Sequence, residues 1–82
     1  MQEEVDRPEV ETKDETRLLN QYPVLRFFEY RHLSDRLQET SAPFCRMAWK
    51  LARTLPHDPE TSKSLDKLLE AKDAAVRSEA VR

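Results

Sequence analysis

The sequence contains no glycine, and this absence excludes several common structures at once. Glycine is the usual residue where the backbone takes a positive φ or approaches a ligand closely, as in tight hairpin turns. Phosphate-binding loops and dinucleotide fingerprints also need glycines at fixed positions. The composition therefore argues against β-hairpins and against a glycine-rich nucleotide loop. It favours helices joined by breaks at proline.

The chain has one cysteine, Cys45, so no internal disulfide can form. His32 and His57 lie far apart in the sequence, and no local His/Cys/Asp spacing of a metal site occurs. No signal peptide and no apolar run near the ~20 residues of a bilayer span are present. We therefore expect a chain without metal, cofactor or membrane span, in a reducing cytoplasm. Cys45 is expected to be a packed small hydrophobic residue and not a nucleophile.

The chain is too short to bury a large core by itself. Its 82 residues allow one domain, and only 38% of them are apolar against 37% charged. A domain of this size buries only about 60% of the surface that its unfolded chain exposes. Small scaffolds compensate with disulfides, a metal or oligomerisation. Oligomerisation is the route that this composition leaves open.

Charge is unevenly distributed along the chain. Residues 1–20 hold seven acidic and three basic side chains, whereas residues 21–82 hold nine acidic and eleven basic ones. Residues 1–16 are charged and poor in apolar groups, which predicts a disordered acidic leader before a domain at 17–82. The slightly basic remainder suits a small anionic ligand better than duplex DNA, whose binding proteins usually carry a stronger basic stripe.

Prolines divide the remaining sequence into helical segments. Pro23 is expected to begin a short helical turn over residues 24–30, and Ser34 to cap a long amphipathic helix that ends before Pro56. Pro43 interrupts this helix, so a kink or a restart capped by Ser41 is expected there. The apolar positions of the long helix are Leu33, Leu37, Phe44, Ala48, Leu51, Ala52 and Leu55.

A second helix is expected from Pro59, with Asp58 as its N-cap. Asp73 and Arg77 form a predicted i,i+4 ion pair on it. Its apolar stripe consists of Leu65, Leu68, Leu69, Ala71, Ala75, Val76 and Ala80. The fold predicted is all-α: a helical hairpin preceded by a short N-terminal helix, assembling into a homo-oligomer because two helices cannot cover both apolar stripes.

No set of residues predicts catalysis. Carboxylates such as Asp66 and Glu70 lie one helical turn apart on a charged, solvated face, so we expect a protein that is not an enzyme. Residues 26–32, RFFEYRH, mix aromatic and cationic side chains that can stack bases and neutralise phosphates. Alternatively, Phe27 and Phe28 only attach the short helix to the hairpin.

Three stretches in the same order and spacing resemble the phage anti-CBASS sponge family: residues 22–33, YPVLRFFEYRHL; 37–44, LQETSAPF; and 67–77, KLLEAKDAAVR. The resemblance covers roughly residues 21–78. It implies a homohexamer in the infected bacterial cytoplasm that sequesters cyclic dinucleotides such as cyclic GMP-AMP, and in some members cyclic trinucleotides, without cleaving them. The bound signal is thereby hidden from the host effector.

The resemblance also assigns candidate residues. Tyr30 corresponds to the base-stacking aromatic of the dinucleotide pocket, and Arg77 to the basic residue of the trinucleotide site. Family members typically carry a lysine or arginine where this chain has Ala42. Either Arg46, one turn along, replaces that cation, or the chain favours another ligand. The predicted ligand-binding residues are Tyr30, His32, Ser41, Arg46, Lys72 and Arg77.

Two other functions share this sequence pattern. A helical adaptor would bury its own exposed apolar stripe against a host protein and thereby block that protein. An RNA-binding module would show binding that falls steeply with salt concentration. Cyclic nucleotide that co-purifies with the protein would separate the sponge from both.

Overall fold

The computed structural model describes residues 13–81. Helix α1 spans Lys13–Gln21, a 3₁₀ helix spans Pro23–Phe28, α2 spans Asp35–Thr54 and α3 spans Pro59–Ala80. The all-α class is thus confirmed, and no strand occurs in this part of the chain. Residues 13–16, which the composition assigned to the leader, are helical. The rest of the predicted leader lies outside the described residues.

Helices α2 and α3 pack against each other as the predicted hairpin, and the 3₁₀ helix contacts both of them. Helix α1 packs on the 3₁₀ helix. The N-terminal elements therefore cover one side of the hairpin. No helix between residues 13 and 81 is long and apolar enough to cross a membrane.

Proline sets the break between α1 and the 3₁₀ helix. Tyr22 ends the α1 hydrogen-bonding pattern by donating its N–H to the Leu18 carbonyl at 2.8 Å. Pro23 then occupies the first 3₁₀ position, where its fixed φ suits a helix and its missing N–H costs nothing. The predicted start of a short helical turn at Pro23 is confirmed, but the turn ends at Phe28 and not at Tyr30.

Asp58 caps α3 as predicted. Its Oδ1 accepts a hydrogen bond from the Thr61 N–H at 2.9 Å, and Pro59 takes the first helical position. The Thr61 hydroxyl donates to the Pro56 carbonyl at 2.6 Å and ties the α2–α3 connection to the new helix. These bonds satisfy backbone groups that a helix end otherwise leaves open.

We expect Asp58→Ala to lower the free energy of unfolding by about 1 kcal/mol, the usual cost of removing an N-cap side chain. Asp58→Asn retains an accepting oxygen and should cost clearly less. Urea unfolding followed by circular dichroism measures both changes. Equal losses in the two variants would show that the cap hydrogen bond contributes little.

Helix α2 continues through Pro43, and the predicted restart is wrong. Proline offers no N–H to the Glu39 carbonyl, but the flanking turns keep their helical course. Ser41 consequently lies within the helix and caps nothing. Ser34 does occupy the N-cap position, although its hydroxyl makes no capping hydrogen bond to the described backbone.

The core lies where the 3₁₀ helix covers the hairpin. Trp49 and Phe28 are its largest fully buried side chains, followed by Leu19, Leu25 and Leu65. Cys45 is buried as predicted. Phe27, by contrast, is 65% exposed, so only Phe28 attaches the short helix to the hairpin. The buried apolar residues are Leu18, Leu19, Tyr22, Leu25, Phe28, Cys45, Ala48, Trp49, Ala52 and Leu65.

The apolar stripe of α3 is buried only near its start. Leu65 is fully buried, Leu68, Leu69, Ala75 and Val76 are partly buried, and Ala71 and Ala80 are exposed. Full burial on this stripe is therefore confined to Leu65.

The predicted Asp73–Arg77 ion pair is wrong as well. Lys72 Nζ lies 2.9 Å from Asp73 Oδ1, so Lys72 takes that partner. Arg77 remains exposed.

Candidate functional site

One face of α2 and the segment before it line an open, solvent-facing cavity of about 550 Å³. Positions 35, 38, 39, 42 and 46 recur at the helical spacing that places side chains on one face. Tyr30 lines the cavity from the side of the preceding turn. The lining residues are Tyr30, Asp35, Gln38, Glu39, Ala42 and Arg46.

Hydrogen bonds hold the turn that carries Tyr30 against α2. The Leu33 N–H donates to the Tyr30 carbonyl at 3.0 Å. Gln38 Nε2 donates to the carbonyls of Leu33 at 2.8 Å and Arg31 at 3.3 Å. Gln38 thus fixes the turn to the helix that forms the cavity floor.

The Tyr30 ring is half-buried and has a cation on one face. The Arg31 guanidinium carbon lies 5.3 Å from the ring centroid, within cation–π range. Arg31 Nη1 also lies 3.3 Å from Glu29 Oε2. The ring is therefore oriented by its neighbours before any ligand arrives, which suits a stacking surface.

The charges in the cavity are mixed. Arg46 supplies one positive charge, whereas Asp35 and Glu39 supply two negative ones. None of these three forms an ion pair within residues 13–81. The cavity therefore combines an aromatic ring, one available cation and several hydrogen-bond acceptors.

The structure brings together only two of the predicted site residues, Tyr30 and Arg46. His32 is exposed in the turn and does not line the cavity. Ser41 is fully buried, and its hydroxyl has no hydrogen-bond partner within the described part of the chain. Its side chain is thus inaccessible to a ligand in the single chain.

Lys72 and Arg77 lie on α3, away from the Tyr30 cavity lining. The Lys72 side chain is only 13% exposed and pairs with Asp73, whereas Arg77 is exposed. Side chains five residues apart on a helix leave the axis about 140° apart. Lys72 and Arg77 therefore leave α3 in different directions and do not form a joint cationic site in the single chain.

A second cavity of about 390 Å³ lies between α1 and the end of α2, and sequence reasoning missed it. Inside it, His57 Nδ1 and the Tyr22 hydroxyl lie 2.9 Å apart, with the two rings edge to face. Arg17 and Arg53 add cations at its rim. Tyr22 and His57 are far apart in sequence, so only the fold reveals the contact.

Residues 13–81 bring together no group of three His, Cys, Asp or Glu side chains that could hold a metal ion. Comparison of the chain with protein-family models, curated proteins and solved structures found no match.

Proposed function

We propose that this chain is a non-enzymatic sponge that binds cyclic oligonucleotides, in particular cyclic dinucleotides such as cyclic GMP-AMP, and withholds them from host CBASS effectors. The observation that carries the proposal is the cavity in which Tyr30 and Arg46 meet. An aromatic ring can stack a base and a guanidinium can bind a phosphate. The volume of about 550 Å³ falls within the range of small-molecule sites, about 300–1,000 Å³.

The family resemblance supports the same ligand class independently of the cavity. Tyr30 lies in the first stretch of the resemblance, and Ala42 lies in the second. Arg46 lies one helical turn beyond Ala42 and lines the same cavity. In the proposal, Arg46 supplies the positive charge that the alanine lacks.

A second site for cyclic trinucleotides is proposed around Arg77. This exposed guanidinium makes no ion pair within residues 13–81 and is available to a phosphate. A single exposed cation binds an anionic ring weakly because water screens its charge. The proposed site is therefore completed by a neighbouring subunit.

Self-association is part of the proposal, with a hexamer as the expected form. Phe27, Met47 and Leu55 are exposed, and Phe44 and Leu51 are only partly buried in the single chain. Covering these side chains with other subunits removes apolar surface from water. Light scattering is expected to report several times the 9.7 kDa of one chain. A monomer at micromolar concentration would contradict the assembly and the shared trinucleotide site.

Thermal shift with a panel of ring nucleotides tests the proposed ligand class. Cyclic GMP-AMP and cyclic tri-AMP should raise the melting temperature, because a ligand at 100 times its dissociation constant adds about 2.7 kcal/mol. Linear dinucleotides of the same base composition serve as controls. A melting temperature unchanged by every ring would contradict the proposal.

The alternative is a helical adaptor that acts by protein–protein interaction. The 65% exposed Phe27 side chain favours it, because an exposed aromatic residue can anchor an interface. Phe27→Ser distinguishes the two functions. In an adaptor, the substitution would abolish binding of the partner protein. In the sponge, a variant that light scattering shows to keep the wild-type oligomer would still bind ring nucleotides.

A further inference from the structure

The cavity around Tyr30 contains more hydrogen-bond acceptors than phosphate recognition requires. Asp35 and Glu39 lie one turn apart on α2, with Gln38 beside them. Phosphates are bound by donors and cations. Of these side chains only Arg46 is a cation, so the acceptors call for another explanation.

The acceptors are available to a ligand. The side-chain amide nitrogen of Gln38 donates to the carbonyls of Leu33 and Arg31. Its Oε1 is therefore left to accept a hydrogen bond from a ligand. Asp35 and Glu39 are exposed and make no ion pair within residues 13–81. Ala42, one turn from Glu39, is too small and apolar to pair with that carboxylate.

The net charge of the cavity lining indicates what the acceptors bind. The lining carries two carboxylates and one guanidinium, so it repels a ligand with two phosphates unless the carboxylates receive hydrogen bonds from that ligand. The donors of a cyclic dinucleotide lie mainly on its bases. Tyr30, Asp35 and Glu39 line the same cavity, so the edge of a base that stacks on Tyr30 can reach these carboxylates.

The bases differ in how well they can satisfy a carboxylate. Guanine presents two adjacent donors, N1–H and N2–H, which match the two oxygens of one carboxylate. Adenine offers only its N6 amino group, and uracil offers a single N–H. A bound base covers the acceptors that it contacts, so a base without paired donors leaves a carboxylate desolvated and unpaired and binds less tightly.

We infer that the Tyr30 cavity prefers guanine-containing rings, with Glu39 accepting from the guanine N1–H and N2–H while Tyr30 stacks the base and Arg46 binds a phosphate. This inference rests on the proposed function. Glu39 is assigned this role in preference to Asp35 because it lies beside Gln38 and one turn before Ala42, whose small side chain leaves room for a base edge. Asp35, one turn earlier, is the second acceptor.

Isothermal titration with cyclic di-GMP and cyclic di-AMP tests the preference on the full chain. The wild type should bind cyclic di-GMP at least about tenfold more tightly, the scale of one bidentate contact to a base. Glu39→Gln should weaken cyclic di-GMP binding by about tenfold, because the new amide nitrogen faces a guanine donor. Binding of cyclic di-AMP should stay unchanged or become tighter, because a negative charge has been removed.

Glu70→Gln is the matched control, since Glu70 is exposed on α3 and does not line the cavity. It should leave both affinities at their wild-type values. If Glu39 only repels phosphates, Glu39→Gln will increase the affinity for both rings equally. That result would overturn guanine recognition. Equal wild-type affinities for the two rings would overturn it too, while leaving the sponge function in place. If neither ring binds, the guanine preference is overturned, and the thermal-shift panel with cyclic GMP-AMP and cyclic tri-AMP separately decides the proposed function.

Discussion

Replacing Trp49 with alanine is expected to lower the free energy of unfolding by about 3–5 kcal/mol, the largest single effect in this chain. Trp49 is fully buried within the cluster that joins α2, α3 and the 3₁₀ helix. Removing the indole leaves a cavity that this small core cannot close. Because domains are stable by only about 5–15 kcal/mol, the variant should be unfolded over much of the accessible temperature range.

Trp49→Phe is the matched control for this loss. The indole N–H has no hydrogen-bond partner within residues 13–81, so phenylalanine forfeits no bond there while it keeps most of the buried ring. Its cost should stay below about 2 kcal/mol. Thermal unfolding at one fixed protein concentration compares the variants, since oligomer stability depends on concentration. Near-wild-type stability of Trp49→Ala would show that the core is not centred on Trp49.

Charge reversal at Arg77 is expected to abolish cyclic tri-AMP binding while leaving dinucleotide binding nearly unchanged. Glutamate would repel the phosphates that the arginine attracts. Arg77 is exposed and unpaired in the described chain, so the fold should tolerate the change. Lys67→Glu makes the same charge change on α3 and should retain trinucleotide binding. If Arg77→Glu binds cyclic tri-AMP like the wild type, Arg77 is not part of that site.

Tyr30→Ala should have the opposite selectivity and weaken dinucleotide binding by about 1–3 kcal/mol, the scale of one base stack. Tyr30 also packs against the core, so loss of binding alone could reflect a local fold change. Tyr30→Phe separates the two effects because it keeps the ring, and it should bind almost as the wild type does. Light scattering must first show that each variant keeps the wild-type oligomer.

Local signals in the sequence predicted the helices well. Asp58, Pro59 and Pro23 act at helix starts through their own side chains and fixed φ angles, so neighbouring residues suffice to read them. Pro43 misled because its effect depends on context. The cost of one missing N–H can be outweighed by packing of the turns on either side, and those contacts come from distant segments.

The core face of α2 was predicted in part. Cys45, Ala48 and Ala52 are buried as expected, but Ser41 and Trp49, which complete the buried face, were not assigned to it. The largest aliphatic residues near this face, Leu37 and Leu51, lie at its edge and are only partly buried, and Leu55 is exposed. A pattern weighted by hydrophobicity follows the leucines, whereas the small Ser41 and Cys45 allow close packing against the core.

The candidate site was half predicted. Tyr30 and Arg46 were identified through the family resemblance, Arg46 as the replacement for the cation missing at Ala42, whereas Asp35 and Glu39 were not singled out as site residues. They line a cavity only because Gln38 holds the preceding turn against α2, and no local sequence pattern predicts that contact. Ser41 and Lys72 were predicted to bind the ligand but do not line the cavity. Ser41 is buried in the core, and Lys72 forms an ion pair with Asp73.

Recovery of the ligand after binding tests the central claim, sequestration without turnover, most directly. The protein is incubated with cyclic GMP-AMP and passed over a desalting column. The protein fraction, which elutes ahead of free nucleotide, is then heat-denatured and its nucleotides are identified by mass spectrometry. We expect the ring to elute with the protein and to be released intact at every protein concentration. Absence of the ring from the protein fraction, or linear products that increase with protein concentration, would contradict the sponge.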